Sequence, residues 1–408
     1  MKKYSLIDLY AGSGGLSLGF LLSGMFEPLV GVESNSSAAR TYSANISPMY
    51  TFLKRVEEID FEELDEIVHG AGYSGLDALV GGPPCRPYST LNHGRTRWDG
   101  TESPEIERFF ELTIALRPRS FVIENVPNLM AAKYANYVAA LRTKFLLAKY
   151  ETIVLRANAL TYGVPQSRRR LFIIGFESGR AESLKEPFRH DSGRVLTTRE
   201  AIADLPRIIP GKKGYTFCKY KRGRPTNYQS RCRADSQIVS DHVTHVVDPV
   251  VQERFKFIKP GYNLKRSVAE GLMPRSKLKG RLNARRWAKK GLSEDIQNLH
   301  SNIYRRLKAG LPAFTMTHVR KTLIIHPTQD RLLSVREAAR LQGFPDWFRF
   351  DGSLSQRYQQ IADAVPPPLA ESIARGLATI LPTNSTDTEG LVSTGQVPRI
   401  SSRLKSII

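Results

Sequence analysis

One cysteine of this chain lies in a stretch that is suited to hold a thiol in place. Cys85 belongs to GGPPCRPYST at residues 81–90 and is one of only three cysteines among 408 residues. Glycine and proline mark turns, and the prolines stiffen the loop around the thiol. A cysteine acts as a nucleophile where it is exposed and its pKa is lowered, because a free thiol holds little thiolate at neutral pH. The stretch therefore predicts a nucleophile, with a small buried hydrophobe as the alternative.

Charged side chains stand at the ends of two other apolar runs. Glu124 and Asn125 follow the run in PRSFVIENVP, where an acid either caps a strand end or takes part in catalysis. Arg168 and Arg170 are two residues apart in YGVPQSRRRLFIIG, directly before another apolar run. Both arginines can therefore point into one site and bind anions, and a solvated basic turn is the alternative.

A glycine-rich turn near the N-terminus predicts a site for a nucleoside cofactor. The sequence DLYAGSGG at residues 8–15 follows a strand-like run and opens a helical one. Its spacing differs from G-x-G-x-x-G, because Ser17 occupies the third glycine position, and a structural turn is the alternative. Glu33 ends the second strand about 20 residues on, where an acid can bind ribose hydroxyls. Asp8 and the backbone from Tyr10 to Leu16 would line the rest of the pocket.

These residues need a scaffold that brings the ends of separate strands together. The apolar pattern predicts strands at 4–9, 27–33, 76–82 and 118–127 and in ETIVLRANAL and RRLFIIGFE, and helices at 34–46, with Ser34 as N-cap, and at roughly 130–148. This alternation predicts an α/β fold, a largely parallel Rossmann-like sheet. Ligands of such sheets bind at the carboxyl ends of the strands, and each candidate residue falls at such an end.

The pattern changes after about residue 185. Short apolar pieces and many turn residues predict a second, smaller domain over 186–330. Helical periodicity returns in RLLSVREAARLQGFP, with Ser334 as N-cap and Glu337 three residues on, and QRYQQIADAVPPPLAESIARGLATIL predicts a loop and a helix. The predicted divisions are a first domain (1–185), the second domain (186–330), a return segment that completes the first domain (331–381) and a disordered polar tail (382–408).

Most of the net charge of +21 lies in the predicted second domain. Residues 201–330 contain 27 Lys and Arg against 9 Asp and Glu, an excess of 18. Aromatic and amide residues interleave with this charge in YKRGRPTNYQSRCR and RSKLKGRLNARRWAKK. Such a localised basic field predicts a nucleic acid that is bound through its phosphates. A solvated basic surface is the alternative, and no amphipathic stripe indicates a membrane surface.

The remaining composition predicts neither a metal site nor a membrane span. The three cysteines show no CxxC spacing and fit free thiols in an intracellular protein. His242 and His245 form an H-x-x-H pair without a third ligand nearby, and surface histidines are expected there. No run approaches the roughly 18 apolar residues of a membrane span. The N-terminal MKKYSLIDLY predicts a first strand and no signal peptide.

Six motifs occur in a fixed order along the chain. They are DLYAGSGGLSLGF, GGPPCRPYS, ENVP, NALTYGVPQSRRRLFIIGF, RLLSVREAARLQGFP and QQIADAVPPPLAESIA. Together they resemble the cytosine carbon-5 DNA methyltransferases, over about residues 1–180 and 300–380. The resemblance implies a catalytic domain that uses S-adenosylmethionine and a variable target-recognition segment where the basic excess lies. It also implies double-stranded DNA as the partner.

The resemblance implies a role for each candidate catalytic residue. Cys85 would attack carbon-6 of a cytosine flipped out of the duplex. Glu124 would hydrogen-bond the ring nitrogen and the exocyclic amine while carbon-5 takes the methyl group from the sulfonium. Loss of the carbon-5 proton would then expel Cys85. Arg168 would help hold the base and the active-site carboxylate, with Arg170 as the looser assignment.

The resemblance also implies a set of cofactor contacts. They are Asp8, Tyr10, Ala11, Gly12, Ser13, Gly14, Gly15, Leu16, Glu33, Pro84, Asp363 and Ala364. The chain departs from the family at Arg86 and Tyr88, on either side of the usual Pro87, where Gln and Phe are usual, and at Ala362 and Asp363, where Gly and Asn are usual. The adenine-binding position stays open between the regions of Arg55 and Asp60.

These features predict an active DNA cytosine-5 methyltransferase of a prokaryotic restriction–modification system. The expected location is the cytoplasm in association with the nucleoid, and a cognate restriction endonuclease acting on the same site is the candidate partner. Two alternatives stay open, an RNA (tRNA) cytosine-5 methyltransferase and a catalytically silent DNA-binding relative. A dinucleotide oxidoreductase would account for the glycine turn alone.

Overall fold

A seven-stranded sheet forms the centre of the protein, whose computed structural model describes residues 2–84, 103–177, 188, 193–234, 236–278 and 303–382. The strand order is β3-β2-β1-β4-β5-β8-β6. These strands are β1 (Tyr4–Leu9), β2 (Phe26–Val32), β3 (Tyr50–Phe52), β4 (Ala78–Gly81), β5 (Ser120–Asn125), β6 (Tyr150–Asn158) and β8 (Arg169–Glu177). Three small sheets pair β7 (Gln166–Ser167) with β12 (Ala313–Phe314), β9 (Gly214–Cys218) with β10 (Val239–Val243), and β11 (Arg305–Arg306) with β13 (Ile324–Ile325).

The direction of β8 decides which motifs meet. Neighbouring strands from β3 to β5 run parallel, whereas β8 runs antiparallel to both β5 and β6, so the predicted largely parallel sheet is confirmed. Because β8 is antiparallel, its first residues lie at the same edge as the carboxyl ends of β1, β4 and β5. Glu124 pairs with Phe172 in this register, and Asn125 pairs with Leu171. The arginine motif before β8 therefore meets ENVP at the edge where such sheets bind ligands.

Helices cover both faces of the sheet. The helices of the described residues are α1 (Gly15–Leu22), α2 (Ser36–Ile46), α3 (Phe61–Gly70), α4 (Pro104–Leu116), α5 (Ala135–Leu147), α6 (Thr198–Ile202), α7 (Asn227–Arg233), α8 (Pro249–Phe255), α9 (Leu264–Ala269), α10 (Val319–Thr322), α11 (Val335–Leu341), α12 (Leu354–Asp363) and α13 (Pro367–Ala378). Phe121 of β5 packs in a cluster with α3, α4 and α5, and its neighbour Val122 packs in another with α1 and α13. Successive strand residues face opposite sides, so one strand serves both cores.

Two glycines let α1 lie directly against the return segment. A Cβ atom at Gly19 would lie 2.3 Å from the Cβ of Ala370, and one at Gly15 would lie 2.4 Å from the carbonyl oxygen of Val365. Glycine alone permits backbones to approach so closely. This packing brings the junction of α12 and α13 to the glycine turn at the start of α1.

The described residues between 193 and 330 fold around a core that they share with the return segment. Tyr228 and Phe255 belong to the same buried cluster as Ala339 of α11. Arg340 of α11 reinforces the contact, because it forms a fully buried ion pair with Asp204. The division of the chain at residues 185 and 330 stays a prediction, and the tail beyond 382 lies outside the described residues.

The local predictions hold at one helix start and differ at another. Ser334 accepts a hydrogen bond from the N–H of Glu337 at 3.0 Å, and the Glu337 carboxylate accepts one from the N–H of Ser334 at 2.8 Å, so this capping box is confirmed. The prediction that Ser34 caps α2 is wrong. Asn35 caps it by accepting bonds from the N–H groups of Ser37 and Ala38, and both residue types are good caps.

Two helical ranges also differ from prediction. The range 130–148 includes parts of two 3-10 turns, Pro127–Met130 and Ala132–Tyr134, and becomes α-helical only at Ala135. The range 356–381 is predicted as a loop and a helix, but its first part also belongs to a helix. Ser353 caps α12, which begins at Leu354, and α13 follows after a short break. The prolines at 366–368 are tolerated at the start of the second helix, where the backbone N–H groups have no helical partner.

The structure corrects the expectation for one histidine. His242 is fully buried, and its ring nitrogens lie 2.9 Å from Ser334 Oγ and 2.7 Å from the carbonyl oxygen of Pro206. In the part of the chain that the structure describes, no group of three His, Cys, Asp or Glu side chains is placed to hold a metal ion. Every helix of the described ranges is too short or too polar to span a bilayer.

Candidate active site and cofactor pocket

A cavity of about 590 Å³ lies at the carboxyl edge of the sheet. It is bounded by the glycine turn, the ends of β2, β4 and β5, the start of β8 and the junction of α12 and α13. Predicted site residues on its wall are Asp8, Tyr10, Ala11, Gly12, Ser13, Gly15, Leu16, Glu33, Pro84, Glu124, Arg170, Asp363 and Ala364. The structure therefore brings the predicted cofactor and catalytic groups into one space.

The glycine turn has the backbone conformation that the sequence demands. Gly12 and Gly14 adopt φ values of +57° and +89°, in the left-handed region that favours glycine. A Cβ atom at Gly12 would meet nothing within 4 Å, so the backbone there faces open space. At Gly14 a Cβ atom would lie 2.9 Å from side-chain atoms of Tyr42 and Ile46, so this glycine packs behind the turn. A ligand can therefore approach the backbone closely.

Glu33 fastens the glycine turn to the end of β2. Its Oε2 accepts a hydrogen bond from the N–H of Gly12 at 2.8 Å, and its Oε1 accepts one from the N–H of Asn35 at 2.6 Å. Each carboxylate oxygen can accept more than one bond, so both can still bind hydroxyl groups. This donor and acceptor set, at the mouth of the turn, fits the ribose of a nucleoside.

Asp8 connects the end of β1 to the start of α1 through a buried hydrogen bond. It is almost fully buried and accepts a hydrogen bond from Ser17 Oγ at 2.6 Å, and Tyr42 lies 2.8 Å from the same hydroxyl. Burial raises the pKa of Asp8 to about 7, because the charged form loses its hydration. Ser17, which breaks the G-x-G-x-x-G pattern, thus supplies a hydrogen bond that glycine would lack.

Glu124 and Arg170 form the charged centre of the cavity. Arg170 Nε lies 2.7 Å from Glu124 Oε1, and both side chains are largely buried. Burial raises the pKa of Glu124, and the positive charges of Arg170 and Arg168 oppose that rise. The carboxyl group therefore holds a proton more readily than an ordinary glutamate does, while the guanidinium fixes its orientation.

Arg168 lies behind the cavity wall. It is 1% exposed, and its Nη2 donates hydrogen bonds to the carbonyl oxygens of Ala362 at 2.7 Å and Ala364 at 3.0 Å. The side chains of Arg168 and Arg170 therefore contact different partners. Arg168 lies between β7 and β8 and not within a regular strand, so the alternation of a strand does not set its direction. Arg170, the looser assignment from the sequence, is the one that contacts Glu124.

The loop that carries Cys85 begins on the wall beside Glu124. A Cβ atom at Gly82 would lie 3.1 Å from Glu124 Oε2, and Pro84 also lines the cavity. Asn125 Nδ2 donates to the carbonyl oxygen of Pro83 at 3.4 Å and so joins β5 to this loop. Cys85 follows directly but lies outside the described residues.

Several wall residues have no counterpart among the predicted ones. They are Ser34, Asn35, Ser37, Gln356, Gln359 and Gln360. Gln359 Nε2 donates to both carboxylate oxygens of Asp363 at 2.9 Å, so the two residues form one polar unit. Gln359 and Gln360 stand directly before IADAVP, and this position beside the motif could have identified them from the sequence. Neither Arg55 nor Asp60 lines this cavity. Asp60 caps α3, and Arg55 pairs with Glu57.

Comparisons with known proteins agree with this geometry. The family model described as C-5 cytosine-specific DNA methylase matches residues 4–379. The Type II methyltransferase M.DdeI of Desulfomicrobium norvegicum is 32% identical over 92% of this chain and 88% of its own. The Type II methyltransferase M.XorII of Xanthomonas oryzae pv. oryzae is 30% identical over 90% of this chain and 82% of its own.

Solved structures share the fold. A candidate DNA modification methyltransferase encoded within an E. coli prophage superposes with a TM-score of 0.71 at 24% identity, over 93% of this chain and 99% of its own. The Dnmt2 methyltransferase of S. pombe gives 0.57 at 13% identity, over 92% and 99%. With the family match over nearly the whole chain, the protein belongs to the C-5 cytosine-specific DNA methylases and is a DNA cytosine-5 methyltransferase that uses S-adenosylmethionine.

Proposed function

We propose that the protein is the modification enzyme of a prokaryotic restriction–modification system. In this proposal it methylates carbon-5 of a cytosine flipped out of duplex DNA, through a covalent adduct on Cys85. The observation that carries the proposal is the single cavity shared by the glycine turn, the Glu124–Arg170 pair and the start of the Cys85 loop. The Type II names of the bacterial relatives support the restriction–modification setting.

The proposed chemistry assigns each side chain a task. S-adenosylmethionine, when bound, supplies an electrophilic methyl group, and Glu33 with the glycine turn holds its ribose. Cys85 adds to carbon-6 of the base, which makes carbon-5 nucleophilic. Protonated Glu124 donates to the ring nitrogen, and its other oxygen accepts from the exocyclic amine. After methyl transfer a base such as water takes the carbon-5 proton, the double bond between carbon-5 and carbon-6 forms again, and the bond from carbon-6 to sulfur breaks and releases the thiolate.

The raised pKa of Glu124 suits this task. A glutamate at its ordinary pKa is ionised at neutral pH and has no proton to donate. Burial shifts the balance toward the protonated form. Arg170 holds the carboxyl group through its Nε, and Arg168 fixes the backbone of Ala362 and Ala364 on the cofactor side. The two arginines thus place acid and cofactor relative to each other.

The basic region supports DNA as the substrate. Lys212, Lys213, Arg222 and Arg224 are exposed in a segment that shares its core with α11. Because this segment is packed onto the catalytic unit, phosphate contacts there would position the duplex relative to the cavity. Phosphate contacts do not distinguish DNA from RNA, so a tRNA substrate is an outcome that the assay must separate.

A direct assay tests the proposal. The protein is incubated with labelled S-adenosylmethionine and either mixed-sequence duplex DNA or tRNA, and the products are analysed for 5-methylcytosine. We expect label in duplex DNA and not in tRNA. A folded protein that methylates no duplex contradicts the proposal, and label in tRNA alone would assign the RNA branch.

The restriction–modification setting has its own test. We propose a cognate restriction endonuclease that reads the same sequence, and residence with the chromosome in a prokaryotic cytoplasm. Bisulfite sequencing of host DNA with and without the gene should show one short sequence fully methylated only when the gene is present. An extract of the host should then cleave DNA from the deletion strain at that sequence. Scattered, partial methylation without cleavage would contradict this setting.

Replacing Glu33 is expected to weaken cofactor binding. The Glu33→Ala variant loses the carboxylate that holds Gly12 and would bind ribose, so the Kd for S-adenosylmethionine should rise about 10- to 100-fold. Isothermal titration calorimetry measures this Kd without any turnover. The control is Glu27→Ala near the other end of β2, where Glu27 accepts a bond from Tyr73. An unchanged Kd for Glu33→Ala would remove Glu33 from the cofactor site.

A further inference from the structure

A second hollow lies beside the active site, at the same edge of the sheet. Its volume is about 570 Å³, and its wall combines the turn after β5 with the neighbouring ends of β6 and β8. We call it the arginine hollow, because Arg156, Arg169 and Arg170 line it together with Asn158. Neither Arg156 nor Arg169 belongs to the cavity that holds Glu124.

The strand register explains why these side chains converge. In the antiparallel pair of β6 and β8, Asn158 lies opposite Arg169, and Arg156 lies two residues before Asn158. Opposite residues of such a pair project from the same face, and so do residues two apart. Arg156, Asn158 and Arg169 therefore share one face. Arg170 is the next residue along β8, and its side chain pairs with Glu124 and lines both the hollow and the cavity.

The two outer arginines have no charge partner in the described ranges. Arg156 and Arg169 are exposed, and no side-chain hydrogen bond or ion pair joins either of them to a described residue. Other arginines nearby are engaged, since Arg170 pairs with Glu124 and Arg168 binds carbonyl oxygens. Two guanidinium groups on one concave surface, with no charge partner among the described residues, favour an anion that lies between them. Their planar forks match the oxygens of a phosphate.

We infer that the arginine hollow binds backbone phosphate of the DNA strand that carries the target cytosine, next to the extruded nucleotide. This inference rests on the proposed function and adds a substrate contact to it. The position supports it, because Arg170 lines both the hollow and the cavity, so a phosphate in the hollow lies one side chain away from the base site. The flipped nucleotide stays attached to its strand, so the phosphates on either side of it must lie close to the base site.

Salt-dependent DNA binding tests the inference. The variants are Arg156→Ala, Arg169→Ala and the double variant, titrated with duplex DNA with and without the methylated sequence over a range of NaCl. Each phosphate contact contributes about 0.9 to the slope of log K against log salt, so the double variant should lower that slope by about 2. The loss should be larger on the duplex that contains the methylated sequence, because only that duplex places an extruded nucleotide beside the hollow. The KM for DNA should rise, and the Kd for S-adenosylmethionine should not change.

Matched variants separate a specific contact from a loss of net charge. Arg40→Ala with Arg375→Ala removes the same charge from outside the hollow, where each arginine pairs with a carboxylate on the surface. The Arg40→Ala and Arg375→Ala control should leave the slope of log K against log salt unchanged. Replacing Arg156 and Arg169 with lysine should keep most of the wild-type slope. An unchanged slope in the double alanine variant overturns the inference, as does an equal loss in the control. If the wild type methylates no duplex DNA, the proposed function fails instead.

Discussion

Replacing Cys85 with serine is expected to abolish methyl transfer while DNA binding persists. A serine hydroxyl is a far weaker acid than a thiol and supplies almost no anion at neutral pH, so addition to carbon-6 should not occur. We expect kcat to fall by about 10³-fold or more, as when a covalent nucleophile is removed. The measurement is label transfer to duplex DNA, with the Kd for the same duplex taken in parallel.

The covalent step can be separated from turnover. If fluorine replaces the carbon-5 hydrogen of the target cytosine, the proton whose loss expels the thiolate is missing, and the adduct should persist. The wild type should then stay attached to such DNA in a denaturing gel, and Cys85→Ser should not. The control is Cys218→Ser, because burial raises the pKa of this half-buried thiol and so lowers the share of thiolate. Normal turnover by Cys85→Ser, or loss of the adduct in the control, would contradict the covalent route.

The sequence was sufficient to predict the scaffold and most of the cavity wall. Glycine turns and strand-end acids are local signals, and a mostly parallel sheet gathers strand ends at one edge whatever the loops between them do. Glu33, Glu124 and the junction at Asp363 and Ala364 therefore met as expected. The capping box of Ser334 is equally local, because all its partners lie within three residues.

The directions of the arginines could not be predicted in this way. A spacing of two residues implies a common face only inside a regular strand. Arg168 precedes β8 and points to carbonyl oxygens of residues 362 and 364, which lie far away in sequence. The sequence around Arg168 contains no local pattern that indicates these carbonyl oxygens as its partners. The burial of His242 could not be predicted either, because its ring nitrogens find their partners in Ser334 and the carbonyl oxygen of Pro206, which are distant in sequence.

The charge count also overstated the basic surface. Arg254 and Arg306 lie in the basic segment but are buried, and Arg306 donates to the carbonyl oxygens of Phe255, Ile258 and His326. Such arginines tie loops together and are not available to phosphate. Composition cannot separate them from exposed ones, because burial depends on tertiary packing. The excess of 18 therefore overstates the number of side chains that can contact phosphate.

Replacing Glu124 with glutamine should have the second large effect. The amide keeps the size of the side chain but cannot give up a proton as charge develops on the ring, and it loses the ion pair with Arg170. We expect kcat to fall about 10²- to 10³-fold, with the Kd for S-adenosylmethionine unchanged. Single-turnover kinetics on a cognate duplex measures this loss. The control is Glu151→Gln at the far end of the same sheet, where the Glu151 backbone pairs with Phe176.

The pH dependence tells an acid role for Glu124 from a purely structural one. If the protonated carboxyl donates to the base, kcat should fall as pH rises through its raised pKa. Removing the cation in Arg170→Ala should raise that pKa further, because Arg170 stabilises the ionised form. The alkaline limb of the kcat profile should therefore move to higher pH in Arg170→Ala and vanish in Glu124→Gln. A profile that is the same in all three proteins would exclude the acid role.

The free energy of unfolding should depend on the protonation of Glu124, and this dependence can be measured without catalysis. The pKa of Glu124 is higher in the folded protein than in the unfolded chain, so the folded state binds the proton more tightly. The contribution of Glu124 to the free energy of unfolding is therefore full at pH below the ordinary glutamate range and is lost as pH rises through the raised pKa. Asp8 and Asp363 act in the same direction, because burial raises their pKa values too.

Urea unfolding at several pH values, compared between wild type and Glu124→Gln, isolates the contribution of Glu124. The difference in the free energy of unfolding between the two proteins should shrink toward alkaline pH. A constant difference would mean that folding leaves the pKa of this carboxyl unchanged, and the assignment of Glu124 as the proton donor would lose its physical basis.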